Sequence, residues 1–190
     1  MTLFIIGLVL FLGSHSVAIV APGWRDEQAV QSPSRWKGLY SVVSIVGLAV
    51  MIYGYGLARQ SPIVLWTPPA ATRHLALLLM LPVFPLLLAA YLPGRIKSVT
   101  KHPMLLAVKF WALSHLLANG MLVDLILFGS FLAWAVLDRI AVKKRAVPRV
   151  TPGAPPSAAN DLIALVGGLA FYVVFVLWAH QWLFGVSPLR

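Results

Sequence analysis

Residues 102–119 read HPMLLAVKFWALSHLLAN. The run is apolar enough to cross a membrane, yet it carries His102, Lys109, His115 and Asn119. A charged or hydrogen-bonding side chain in hydrocarbon is costly unless it finds a partner, so each is a candidate site residue. At about 100° per residue, His115 shares a stripe with Trp111 and Asn119, whereas His102 and Lys109 lie roughly 120–140° away. One face is thus aromatic and suited to a buried ligand. The other is basic and near the helix start, where Lys109 can snorkel to the interface.

Outward from this stretch the chain stays apolar. Hydrophobic residues make up 60% of its 190 positions, the mean hydropathy is +0.88, and long apolar runs recur, more than a soluble domain can bury. The expected fold class is therefore all-α, a polytopic integral membrane helical bundle in a lipid bilayer. The absence of cysteine excludes disulfides, thiolate ligands, iron-sulfur clusters and cysteine nucleophiles. The net charge of +10 sits in short loops beside apolar segments, which points to membrane orientation and not to nucleic acid.

Six segments are long enough to span: Leu3 to Val20, Leu39 to Ala58, His74 to Leu92, Pro103 to Ala118, Met121 to Leu137 and Leu162 to Phe184. Runs of this length without alternation are helices. Eleven cations, from Arg25, Arg35 and Lys37, through Arg95, Lys97 and Lys101, to Arg139, Lys143, Lys144, Arg145 and Arg149, fall on one side; Arg59, Arg73 and Arg190 fall on the other. The positive-inside rule then puts both termini on the non-cytoplasmic side of a cell inner membrane. The first apolar run carries its charges after it, as a retained helix does. Residues 1–145 form a five-helix core, 146–160 a Pro-rich, flexible cytoplasmic linker and 161–190 a sixth helix and tail.

Local features refine this plan. Gly13, Ser14 and Ser16 leave room around His15 for a helix or flat ligand. Gly47, Gly54 and Gly56 read as a packing face, and Pro62, Trp66, Pro68 and Pro69 as an ordered interfacial loop. Pro82 and Pro85 should kink the third helix. Asn119-Gly120 should close helices four and five into a tight antiparallel hairpin, with Asp124 near its outer end. His180 lies between Trp178 and Trp182, where its simpler role is in an aromatic belt.

No GxSxG, P-loop or GxGxxG pattern is present, and Glu27 is the sole glutamate. What remains is histidines on different helices. Neutral imidazoles of His15 and His115 could ligate a b-type haem between helices one and four, in the apolar slot of a bundle, with Arg25, Arg59 or Lys109 pairing with its propionates. Helix rise puts His15 roughly 10 Å and His115 roughly 20 Å from the cytoplasmic end. Helix tilt would close that gap; otherwise His180 is the fallback partner of His115.

The stretches LFLGSHSVAI, PGWR, WKGLYSVVSIVGLAVMIYGYGLAR, VLWTPP, LPGRIKSVTKHPMLLAVKFWALSHLLANG and LILFGSFLAWAVLDR resemble the NnrU family over nearly the whole chain to Arg145. The resemblance implies a membrane protein linked to nitrite and nitric oxide metabolism, that is, denitrification, alongside membrane reductase components. A related family, 15-cis-ζ-carotene isomerase, is a membrane enzyme using b-type haem. Its motif of histidine-proline, then tryptophan, cysteine, two residues and histidine is similar to His102-Pro103, Trp111, Ala112 and His115, and its first-helix histidine matches His15. That resemblance implies His15 and His115 as axial ligands to haem b, in a redox enzyme or an isomerase of a lipophilic polyene. Ala112 replaces the cysteine, so no ligand switch to sulfur exists here. Lys101-His102-Pro103 also looks like the arginine-histidine-proline motif of small membrane methyltransferases that bind S-adenosylmethionine, which would put His102 at cofactor. The acidic pair of those enzymes is missing, since LDRIAVKKR offers only Asp138. A non-enzymatic assembly role completes the alternatives.

Overall fold

The computed structural model describes residues 1–145 and 153–189. All the regular elements among these residues are helices: α1 (Thr2–Val20), α2 (Pro22–Gln31), α3 (Pro33–Gln60), α4 (Ala70–Met80), α5 (Val83–Tyr91), α6 (Arg95–Thr100), α7 (Pro103–Ala118), α8 (Leu122–Lys143), α9 (Ala159–Val174), a π-helical turn (Phe175–Ala179) and α10 (His180–Phe184). Pro22, Pro33 and Pro103 each open a helix, a position whose N–H would have no intrahelical partner anyway. The preceding residues, Ala21, Ser32 and His102, leave the helical region, as steric clash with the proline ring requires.

Among the described residues five stretches are long and apolar enough to cross a membrane: Thr2–Val20, Pro33–Gln60, Ala70–Tyr91, Leu122–Lys143 and Ala159–Phe184. The fourth expected span, α7, is apolar but has only 16 residues. It rises about 24 Å, short of a hydrocarbon core of about 30 Å. Pro103 and Asn119-Gly120 set its limits. The expected kink in the third span is a break: α4 stops at Met80 and α5 starts at Val83, because neither Pro82 nor Pro85 can donate to the preceding turn.

The chain folds into two compact units. Unit 1 holds Met1–Trp66 and Met121–Lys144; unit 2 holds Thr67–Gly120 and Arg145–Arg190. The boundary falls at the Asn119-Gly120 turn, so α7 and α8 belong to different units. Inside unit 2, α7 packs on α4 and α5, while inside unit 1, α8 packs on α1 and α3.

In unit 1 the principal contact is α1 against α3. A Cβ on Gly7 would collide with the backbone of Met51, one on Gly54 with the backbone of Phe4, and one on Gly47 would lie 2.7 Å from Phe11 N. Small residues thus let two backbones meet, the usual device where lipid removes the hydrophobic drive for association. Gly56, grouped with them in the sequence, faces open space. Phe4, Leu8, Met51, Ala58 and Val123 fill the core beside this crossing. The loop after α3 is tied to the start of α8, where Leu122 N donates to Ile63 O at 2.8 Å.

In unit 2, α5 packs on α9 with Gly168 against the backbone of Pro85, and Val83, Leu86 and Ala107 form a small core. Residues 146–152 of the expected linker lie outside the described residues. The part after them is docked: Ala154 N donates to Tyr91 O (2.9 Å) and Ser157 N to Pro93 O (3.3 Å), and Asn160 Nδ2 donates to Pro93 O and Pro155 O. Asp161 accepts from Arg95 N (2.7 Å) and Ile96 N (2.9 Å), closing the start of α6. The Asn-Asp pair therefore latches α9 to the turn after α5.

Candidate functional site

Near the end of α1, His15 Nδ1 lies 2.7 Å from Phe11 O, one turn back. A carbonyl oxygen only accepts, so Nδ1 carries the proton and Nε2 the lone pair. Around the imidazole stand the rings of Phe11 (4.3 Å between centroids), Tyr40 (5.2 Å) and Trp134 (6.0 Å, edge-on). Ser14 Oγ donates to Phe11 O (2.8 Å) and lies 3.2 Å from Ser44 Oγ, so the close α1–α3 crossing also brings a polar pair beside the histidine. The Nε1 of Trp134 and the Nε of Arg25 are buried with no hydrogen-bond partner among the described residues. Arg25 Nη1 is held by Asp26 Oδ1 at 2.5 Å.

His115, in α7 of unit 2, is prepared in the same way. Its Nδ1 lies 2.8 Å from Trp111 O, and the Trp111 ring stands 5.4 Å away. Asn119 Nδ2 donates to His115 O at 2.9 Å, one turn back at the end of the helix. The structure brings His180 to His115, with ring centroids 6.5 Å apart and planes 27° from parallel. The π-helical turn Phe175–Ala179 comes immediately before His180 and shifts the phase of the side chains that follow, a feature frequent at functional sites. After α10, Gly185 takes φ 72°, which turns the chain back until Val186 O lies 2.7 Å from His180 Nδ1. Phe175 and Phe184 flank this imidazole at 5.8 and 5.0 Å.

Other candidates lie elsewhere. His102 precedes α7, thirteen residues or about 20 Å from His115 along the axis. Its N–H donates to Thr100 O at 2.7 Å across Lys101, whose φ of 61° is the one positive value at a non-glycine residue among those described. Lys109 lies on α7 between His102 and His115. Arg59 sits with its guanidinium 5.8 Å from the centre of the Tyr55 ring, fifteen residues along α3 from Ser44, or roughly 22 Å. It is therefore not brought to His15. It belongs to a polar cluster that sequence reading did not find: Tyr55 OH donates to Asp124 Oδ1 at 2.5 Å, and Asp124 is only 2% exposed. The available signal was a lone carboxylate in an apolar helix. Trp134 was also missed, and nothing in its local sequence distinguishes it from an interfacial tryptophan.

Among the described residues no three histidine or carboxylate side chains gather as a metal site. The site chemistry is thus that of imidazoles with fixed tautomers among aromatic rings. The NnrU protein family model matches residues 3–188. The chain belongs to the NnrU family. With its long apolar helices, this NnrU-family chain is a membrane protein. No curated protein and no solved structure matches it.

Proposed function

We propose that this NnrU-family membrane protein binds b-type haem through neutral histidine imidazoles, with His15, His115 and His180 as the candidate axial ligands, and that it serves nitrite or nitric oxide metabolism. The observation that carries the reading is the shared state of His15 and His115: each holds Nδ1–H against the carbonyl one turn back, at 2.7 and 2.8 Å. Metal-ligating histidines are typically oriented this way, since the hydrogen bond at one ring nitrogen fixes the tautomer and raises the basicity of the other. His180 has the equivalent bond to Val186 O.

The residues present fit the group. Haem brings its own in-plane nitrogens and takes one or two protein ligands, so it does not require the three-residue cluster that a bare catalytic ion would need. When bound, it supplies redox chemistry and affinity for diatomic ligands. The chain's part is to present Nε2 and to exclude water, with Phe11 beside His15 in unit 1 and with Trp111 beside His115 and Phe175 and Phe184 beside His180 in unit 2. The candidate cations for the propionates are Arg25 in unit 1 and Lys109 in unit 2. The NnrU resemblance supports the link to nitric oxide, and the loop charges support an inner-membrane orientation with both termini outside.

The test is the spectrum of the detergent-purified protein, oxidised and dithionite-reduced, with a pyridine haemochrome assay. A Soret band with sharp reduced α and β bands, at about one haem per chain, is expected for bis-imidazole ligation. Loss of haem from His15→Ala, His115→Ala or His180→Ala identifies the axial pair. Full haem content in all three variants refutes histidine ligation, and a haem-free wild type refutes the cofactor.

A further inference from the structure

Hydrogen-bond satisfaction in unit 1 leaves an asymmetric remainder. The buried side-chain atoms without partners among the described residues are Trp134 Nε1 and Arg25 Nε, and both are donors. No buried side-chain acceptor is left over with them. Beside His15, Nδ1 lies against Phe11 O, and Ser14 Oγ lies against Phe11 O and Ser44 Oγ. In an apolar interior an unpaired N–H is costly, and a bridging water needs two to four polar partners. What the Trp134 N–H lacks is an acceptor oxygen, best a charged one, since hydrogen bonds to ionised acceptors are the stronger kind. Trp134 sits edge-on to the His15 ring, centroids 6.0 Å apart.

We propose that Trp134 Nε1–H donates to a carboxylate oxygen of the group that His15 ligates, which for haem is a propionate. This rests on the haem reading above and adds a binding residue to it. Trp134 is then a determinant of which tetrapyrrole is retained, favouring one with a free carboxylate at its edge over one without.

The experiment measures release of tetrapyrrole from the detergent-purified holoprotein to excess apomyoglobin, using haem and the propionate-free etiohaem. Two variants are compared with wild type: Trp134→Phe, and replacement of Trp134 by benzothienylalanine, which exchanges the N–H for sulfur, keeps the ring shape and covers the case in which phenylalanine does not fold. Haem release is expected to accelerate about tenfold in each variant, with etiohaem release unchanged. Equal acceleration for both tetrapyrroles would mean ring packing alone and overturns the proposal, as does haem release within twofold of wild type. A His15→Ala variant that keeps its haem, or a wild type that binds none, overturns the ligand assignment and this inference with it. A haem-loaded, His15-dependent protein indifferent to Trp134 overturns only the donor.

Discussion

The α1–α3 crossing offers the sharpest test of the packing. Gly54 and Gly56 are two residues apart in one helix, both in GYGYG, yet a Cβ at Gly54 would overlap Phe4 N and Cα while one at Gly56 meets nothing within 4 Å. Alanine at Gly56 should therefore show only the propensity gain of Gly→Ala in a helix, about 0.5–1 kcal/mol of stabilisation. Alanine at Gly54 must push two backbones apart, and overpacking costs about 1–3 kcal/mol; backbone yields less readily than a flexible side chain, so the upper end applies. The propensity gain is common to both variants, so they should differ by the overpacking cost, roughly 2–3 kcal/mol, or about 4–12 °C in melting temperature at 2–4 °C per kcal/mol for a chain of this size. The assay is thermal unfolding in one detergent, followed by circular dichroism and size-exclusion monodispersity. Gly54→Ala also loosens the crossing that sets Ser14 against Ser44, so its near-ultraviolet signal should change. Equal melting temperatures for Gly54→Ala and Gly56→Ala would refute the close approach.

Three further outcomes are expected. Tyr55→Phe removes the donor to buried Asp124 and should cost about 1.5–3 kcal/mol, while Asp124→Asn, which keeps an acceptor for Tyr55, should cost less; the reverse order in chemical unfolding would contradict the pairing. Asp161→Ala exposes the first N–H groups of α6 and should lower stability by about 0.5–2 kcal/mol, read as faster amide exchange at Arg95 and Ile96. Because the chain contains no cysteine, single cysteines report topology cleanly: Gln60→Cys in spheroplasts should react with a membrane-impermeant maleimide, Ser98→Cys only after permeabilisation, and the opposite pattern would invert the orientation.

Apolar content and length alone determined an all-α membrane protein, and Pro103 marked where α7 starts, because hydropathy and the missing proline N–H act within a few residues. Pro22 and Pro33, which open α2 and extend α3 ahead of the expected Leu39, were not read as starts because the residues after them are polar. His15 and His115 were legible for the same reason, as polar groups in apolar runs. The partners of each side chain were not legible. In lipid the faces toward protein and toward hydrocarbon are both apolar, so no amphipathic stripe records which helices meet. Only the tertiary structure separates Gly54 from Gly56 and divides α7 from α8 at Gly120. It alone places Arg59 by Tyr55 and Asp124, Trp134 by His15, and His180 by His115 through a π-helical turn. Apart from Arg59 and Tyr55, one helical turn apart, these contacts join residues far apart in the chain, fixed by the close packing of backbones that a linear pattern does not encode.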